Sequence, residues 1–163
     1  MTTCSDDRHS AVFTPRIETS IDENKNPSQV HMGLVSVFSS KNVGVRAVSA
    51  TLRQAGAKLD TIFFKDLIGS DAAFPTDREY DILVNLLKDL KVNIVGLSII
   101  CSSCKGIAVE ITSRVHKQLG VPVIWGGPHA SLLAEDSLQY ADMVCHGEGD
   151  YAVVDMVNMM NCG

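Results

Sequence analysis

The sequence predicts an α/β fold, a five-stranded parallel sheet with helices on both faces. Three observations carry that prediction. Short apolar runs rich in Val, Ile, Leu and Phe recur along the 163 residues, as strands buried on two faces require. Segments with apolar residues three or four apart lie between them, the spacing of an amphipathic helix. The two kinds of segment alternate, so neighbouring strands are joined in parallel through helical crossovers.

Residues 1–30 are rich in Ser, Thr, Asp and Asn, carry Pro15 and Pro27 and follow neither period. They are expected to form a mobile arm ahead of a folded unit over residues 31–160. MGLVSVF (Met32 to Phe38) is the first strand; after the turn at Ser39 to Asn42, Val45, Val48, Leu52 and Ala55 mark a helix that Gly56 stops. LDTIFF (Leu59 to Phe64) is the second strand. Thr76 and Glu79 have capping-box spacing, and Ile82, Leu83, Leu86, Leu87 and Leu90 line the helix that follows. NIVGLSII (Asn93 to Ile100) is the most apolar run and so the expected centre of the sheet. Ser102 or Ser103 caps a helix with Ile107, Ile111, Val115 and Leu119 along one stripe, closed by Gly120. Strand four is Val121 to Trp125, a short helix spans about Ser131 to Tyr140, strand five is Ala141 to Cys145, and Val153, Val154, Val157 and Met160 face a last helix.

Composition narrows the partners. The chain is 45% hydrophobic and 20% charged, with a mean hydropathy of +0.12, the profile of one domain with a buried core. A net charge of -5 and a pI near 5.4 provide no basic field for nucleic acid or an anionic membrane. The five cysteines are odd in number and the amino terminus lacks a signal-like apolar stretch, so a cytoplasmic location with reduced thiols is expected. No apolar run reaches the roughly 18 residues of a membrane span.

Two strands run straight into glycine-rich turns: VPVIW into Gly126-Gly127-Pro128-His129, and ADMVC into His146-Gly147-Glu148-Gly149. Glycine there lets a ligand approach the backbone closely. In an open parallel sheet the carboxyl ends of the strands are where ligands bind.

The segment GGPHASLLAEDSLQYADMVCHGEGD resembles the end of the amino-terminal vitamin B12-binding domain of cobalamin-dependent radical SAM enzymes. A Gly-Gly-x-His turn is followed there by a Gly-Glu-Gly-acidic turn, and the resemblance runs from about Met32 to Asn158. The wider family carries DxHxxG after strand one, Ser-x-Leu after strand three and Gly-Gly after strand four. Ser98-Ile99-Ile100 is similar to the second and Gly126-Gly127 to the third. The first is degraded in Ser39-Ser40-Lys41-Asn42-Val43-Gly44, where only Gly44 remains and Lys41 replaces the histidine.

The resemblance implies a flavodoxin-like, Rossmann-like fold with cobalamin as cofactor. It implies a channel for the dimethylbenzimidazole tail at Gly126 and Gly127, with Ser98 as hydrogen-bond donor to the ring nitrogen. It places the corrin over Ser39 to Val43 and over Ile100, Cys101 and Ser102, with Gly44, Pro128, His129, Gly147, Glu148 and Gly149 in the adjoining turns. With the base held in that channel and Lys41 in place of the histidine, no protein side chain is expected on the metal, and cobalamin is expected to be bound base-off and histidine-off. The CxxxCxxC motif of radical SAM chemistry is absent, so the chain alone is expected to hold the cofactor rather than catalyse. The radical SAM domain would act in trans or have been lost by truncation.

Plainer readings stand beside these. Lys41 can be a solvated side chain, His129 a turn residue capping the following helix or bonding a backbone carbonyl, or else a metal ligand, and Glu148 a residue favoured by the dipole of the following helix. Cys101 and Cys104 form CxxC at a helix start, which also fits a thiol-disulfide oxidoreductase. A receiver-like interaction domain shares the fold, but would need paired acids where Ser39 and Ser40 stand.

Overall fold

The computed structural model describes residues 30–65 and 74–162. The arm expected over residues 1–30 lies, but for Val30, outside the described residues. Five strands, β1 (His31–Val37), β2 (Lys58–Phe64), β3 (Ile94–Ile99), β4 (Val123–Gly126) and β5 (Met143–Val144), form one sheet in the order β2-β1-β3-β4-β5. Every pairing is parallel. The chain leaves β1 toward β2 on one side and returns to β3 on the other, so the switch point lies between β1 and β3, at their carboxyl ends.

Helices α1 (Val43–Gln54), α2 (Asp77–Asp89), α3 (Lys105–Gln118), α4 (Pro128–Leu132), α5 (Ala134–Ser137) and α6 (Gly149–Cys162) complete the chain order, with a 3-10 turn at Ser102–Cys104 leading into α3. The sheet separates two cores. On one face Val35, Val37, Val95, Leu97, Ile99, Val123 and Trp125 pack under α2 and α3. On the other, Met32, Leu34, Ile94 and Ile124 meet Val45 and Leu52 of α1 and Val153, Met156 and Val157 of α6. The alternation of these two sets along each strand is the period of two that a doubly covered sheet demands.

Two departures from the expected elements have local causes. Strand β5 is only two residues long because the Asp142 carboxylate accepts the Val123 N–H at 2.7 Å and His116 Nε2 sits 2.8 Å from the same oxygen. A side chain thus takes the Val123 donor, while the Asp142 N–H still reaches the Val123 carbonyl at 3.0 Å. The helix expected over 131–140 is two short turns parted at Leu133, whose φ of -129° is not helical. Tyr140 then leaves the helix and stacks on Trp125 at 5.9 Å.

The capping box of α2 forms as its spacing requires. The Glu79 carboxylate accepts from the Thr76 N–H at 2.7 Å and from the Thr76 hydroxyl at 2.8 Å, and it pairs with Lys65 at 3.0 Å. The Thr76 backbone bond, chiefly, and then the Lys65 contact lower the Glu79 carboxyl from 4.5 to about 2. A depressed carboxyl stabilises the fold above its unfolded pKa and loses that contribution as pH falls through the folded value. Urea-unfolding midpoints should therefore fall between pH 4.5 and 2 more steeply in the wild type than in Glu79→Gln; identical acid profiles would count against this cap.

Candidate functional site

At the carboxyl ends of β1, β3 and β4 a cavity of about 440 Å³ opens between the sheet and helices α1 and α6, within the range of small-ligand pockets. Its floor follows from strand register. Ser36 of β1 pairs with Ser98 of β3, which pairs with Gly126 of β4; one rung below, Leu34, Gly96 and Ile124 stand side by side. Two of these floor positions are glycine. A Cβ on Gly96 would come within 3.0 Å of Leu34 Cδ1, and one on Gly126 would meet only Cys145 Cβ at 3.7 Å. The roof is Val45 and Val48 of α1 with Val153 of α6, and the mouth is edged by Gly147, Glu148 and Asp150.

The polar groups converge on Asn42. As the N-cap of α1 it accepts the Val45 N–H on Oδ1 at 3.2 Å. Its amide nitrogen donates both hydrogens, to Ser36 Oγ and to Ser98 Oγ, each at 3.1 Å. The two serines are then unlike. Ser36 passes its own hydrogen to the Ser39 carbonyl at 2.8 Å, whereas no bond among the described residues uses the Ser98 hydrogen. Ser98 lines the cavity and so presents a donor already oriented by Asn42.

The loop after β4 is held by close backbone approach. Gly127 has φ of 92°, and a Cβ there would lie 2.9 Å from the Ile99 carbonyl oxygen and 3.1 Å from its nitrogen. Only glycine lets this turn lie against β3. The loop after β5 is tied across the mouth by the Gly147 N–H, which donates to Ser131 Oγ at 3.0 Å.

Among the residues singled out in the sequence, Asn42, Gly44, Ser98, Gly126, Gly127, Pro128, Gly147, Glu148 and Gly149 line this cavity. Ser39, Ser40, Lys41, Val43, Ile100, Cys101 and Ser102 do not; they lie on the strand-end loops and helix starts around it. His129 also lies outside the lining: it is buried, with Nδ1 3.0 Å from Ser102 Oγ. The plainer alternative, a turn histidine bonded within the protein, therefore describes it better, although its partner is a side chain rather than the backbone. Among the described residues no cluster of three or more His, Cys, Asp or Glu is placed to hold a metal.

The sequence reading missed Met32, Leu34 and Gly96 in the floor, Val45, Val48 and Val153 in the roof, and Cys145 in the wall. The strand period could have found the floor: stepping back two residues from Ser98 reaches Gly96, and from Gly126 reaches Ile124. Burial pushes the Cys145 thiol up, so it stays protonated and serves as an apolar wall.

The fold and this cavity define a doubly wound α/β domain with a largely apolar pocket between sheet and helices. The chain belongs to the B12-binding domain family, whose model matches residues 32–157. Cobalamin is accordingly its cofactor. Among solved structures it is similar to a novel cobalamin-binding protein from Desulfitobacterium hafniense DCB-2, with a TM-score of 0.59 at 16% identity. That match covers 81% of this chain and 60% of the other, so the chain spans less than two thirds of that protein. No curated protein matches it. No helix among the described residues is long and apolar enough to cross a membrane.

Proposed function

We propose that this domain holds cobalamin base-off and histidine-off, as the cofactor-holding module of a radical SAM methyltransferase-like system in the cytoplasm. The observation that carries the binding mode is the Ser98 hydroxyl: polarised by Asn42, facing the cavity and with its hydrogen uncommitted, it suits the ring nitrogen of a benzimidazole base removed from cobalt. Gly96 and Gly126 leave room for the flat base beneath α1 and α6. Val43, Leu132 and Tyr151 are mostly exposed, at 76%, 82% and 78%. They stand just after β1, β4 and β5, where a broad corrin face would cover them. The similar structure is that of a cobalamin-binding protein, which agrees with this reading.

When bound, the corrinoid supplies a cobalt centre able to carry a methyl group or an electron. The chain's own residues bind and orient it: Ser98 donates to the base, Asn42 fixes Ser98, and the Gly127 turn keeps the channel wall in place. The domain itself supplies no catalytic residue. The partner that uses the cofactor is a radical SAM domain, in this system's other chain or in a longer form of this one.

The test is reconstitution with hydroxocobalamin, followed by gel filtration and the absorption spectrum of the protein fraction. A base-off spectrum that comigrates with protein is expected. Ser98→Ala should weaken retention roughly fivefold, the effect of about 1 kcal/mol for one hydrogen bond. A base-on spectrum, or affinity unchanged in Ser98→Ala, would contradict the assignment of the tail to this cavity.

A further inference from the structure

Beyond cofactor binding, we propose that Cys101 and Cys104 form a redox-active dithiol that exchanges with low-molecular-weight disulfides of the glutathione class, with Cys101 as the attacking sulfur. The two Sγ atoms are 3.3 Å apart and need only close to the disulfide length of about 2.05 Å. The backbone already supports that closure: the Cys104 N–H donates to the Cys101 carbonyl at 3.0 Å across the 3-10 turn. The pair is also asymmetric. Cys101 is exposed and Cys104 is buried, so an incoming disulfide meets Cys101 first.

The setting divides the roles. Cys101 stands exposed at the start of the turn, whose last residue, Cys104, leads directly into α3, 14 residues long. Burial, helped by the contact with Cys101, pushes the Cys104 thiol up to about 12, so it keeps its proton until needed. Cys101 thiolate attacks one sulfur of the disulfide RSSR, forming a mixed disulfide and expelling RS⁻. Cys104 then gives up its proton and its sulfur attacks Cys101 Sγ, expelling the second RS⁻. The two expelled thiolates take up the two protons; the protein is oxidised by two electrons and RSSR is reduced to two RSH.

Neither cysteine lines the cavity, so this chemistry stands or falls apart from the cofactor reading. Trypsin excises both in one peptide, Val92 to Lys105, which contains no other cysteine. The full chain, equilibrated in mixtures of reduced and oxidised glutathione and then alkylated, is expected to yield this peptide short of two hydrogens, and reduced glutathione in excess should reopen it. Cys104→Ser should trap glutathione on Cys101. In Cys101→Ser, modification of Cys104 should be at least about tenfold slower than that of Cys101 in Cys104→Ser. Wild-type protein that accumulates glutathione on Cys101 without closing, or Cys104 that reacts as fast as Cys101, would overturn the proposal.

Discussion

Gly126→Val is expected to fold and to lose cobalamin, whereas Gly127→Val is expected to lose both fold and cofactor. The two glycines are adjacent, yet their backbones differ. Gly126 ends β4 and is not among the residues of positive φ, and its added Cβ finds ordinary contact with Cys145 at 3.7 Å. A valine is at home in a strand, and its methyl groups would enter the cavity. Filling a space meant for the base costs about 1–3 kcal/mol by analogy with overpacking, which is at least about a fivefold and up to about a hundredfold loss of affinity. Gly127, at φ 92°, would drive its Cβ to 2.9 Å from the carbonyl oxygen of Ile99. That oxygen belongs to the central strand and cannot retreat without disturbing its pairing, so a stability loss above about 3 kcal/mol is expected. Thermal unfolding followed by gel filtration at a corrin wavelength separates the outcomes. Gly126→Val that keeps its cobalamin would remove the tail from this cavity.

The second large effect is spectroscopic. In the Co(II) form of the reconstituted domain, electron paramagnetic resonance should show no superhyperfine splitting from an axial nitrogen. The loop after β1 offers no imidazole, because Lys41 stands where the wider family has histidine. His129 has one ring nitrogen on Ser102 and is enclosed by protein. His146 is exposed but follows β5, which β3 and β4 separate from β1. Spectra of Lys41→Ala and His129→Ala should match the wild type. A nitrogen splitting that disappears in any histidine variant would contradict the histidine-off assignment, and one that persists in all of them would contradict the base-off assignment.

Strand and helix order were legible because the inner strands β1, β3 and β4 are buried on both faces and therefore largely apolar, while the long helices show one stripe. The weak points were also physical. Strand β5 was overestimated because Asp142 takes over a backbone donor by side chain, which no periodicity reports. The cavity was legible at its glycine turns and at Ser98, each of which stands at or near the end of an apolar run in the sequence. Its roof was not: Val45, Val48 and Val153 look like any core stripe, and only the floor glycines leave them a space to cover. Asn42 was singled out within a degraded motif, but its simultaneous hold on α1, Ser36 and Ser98 depends on strand register, which pairs Ser36 with Ser98 across β1 and β3. His129 shows the converse, a chemically suggestive residue at the right turn whose ring lies inside the protein rather than in the cavity.

The cavity is walled on one side by α1, near the first described residues, and on the other by α6, near the last. The same two ends are joined below it, where the Val30 N–H donates to Asn161 Oδ1 at 2.8 Å. Contacts between segments this far apart carry the largest loop-closure entropy and are gained late in folding. A ligand seated between α1 and α6 therefore acts as a clasp on the last interface to form. Its binding free energy adds to the docking of α6 by linkage, and amide hydrogen exchange in α6 should slow on cofactor binding more than in β3, whose protection already follows global unfolding.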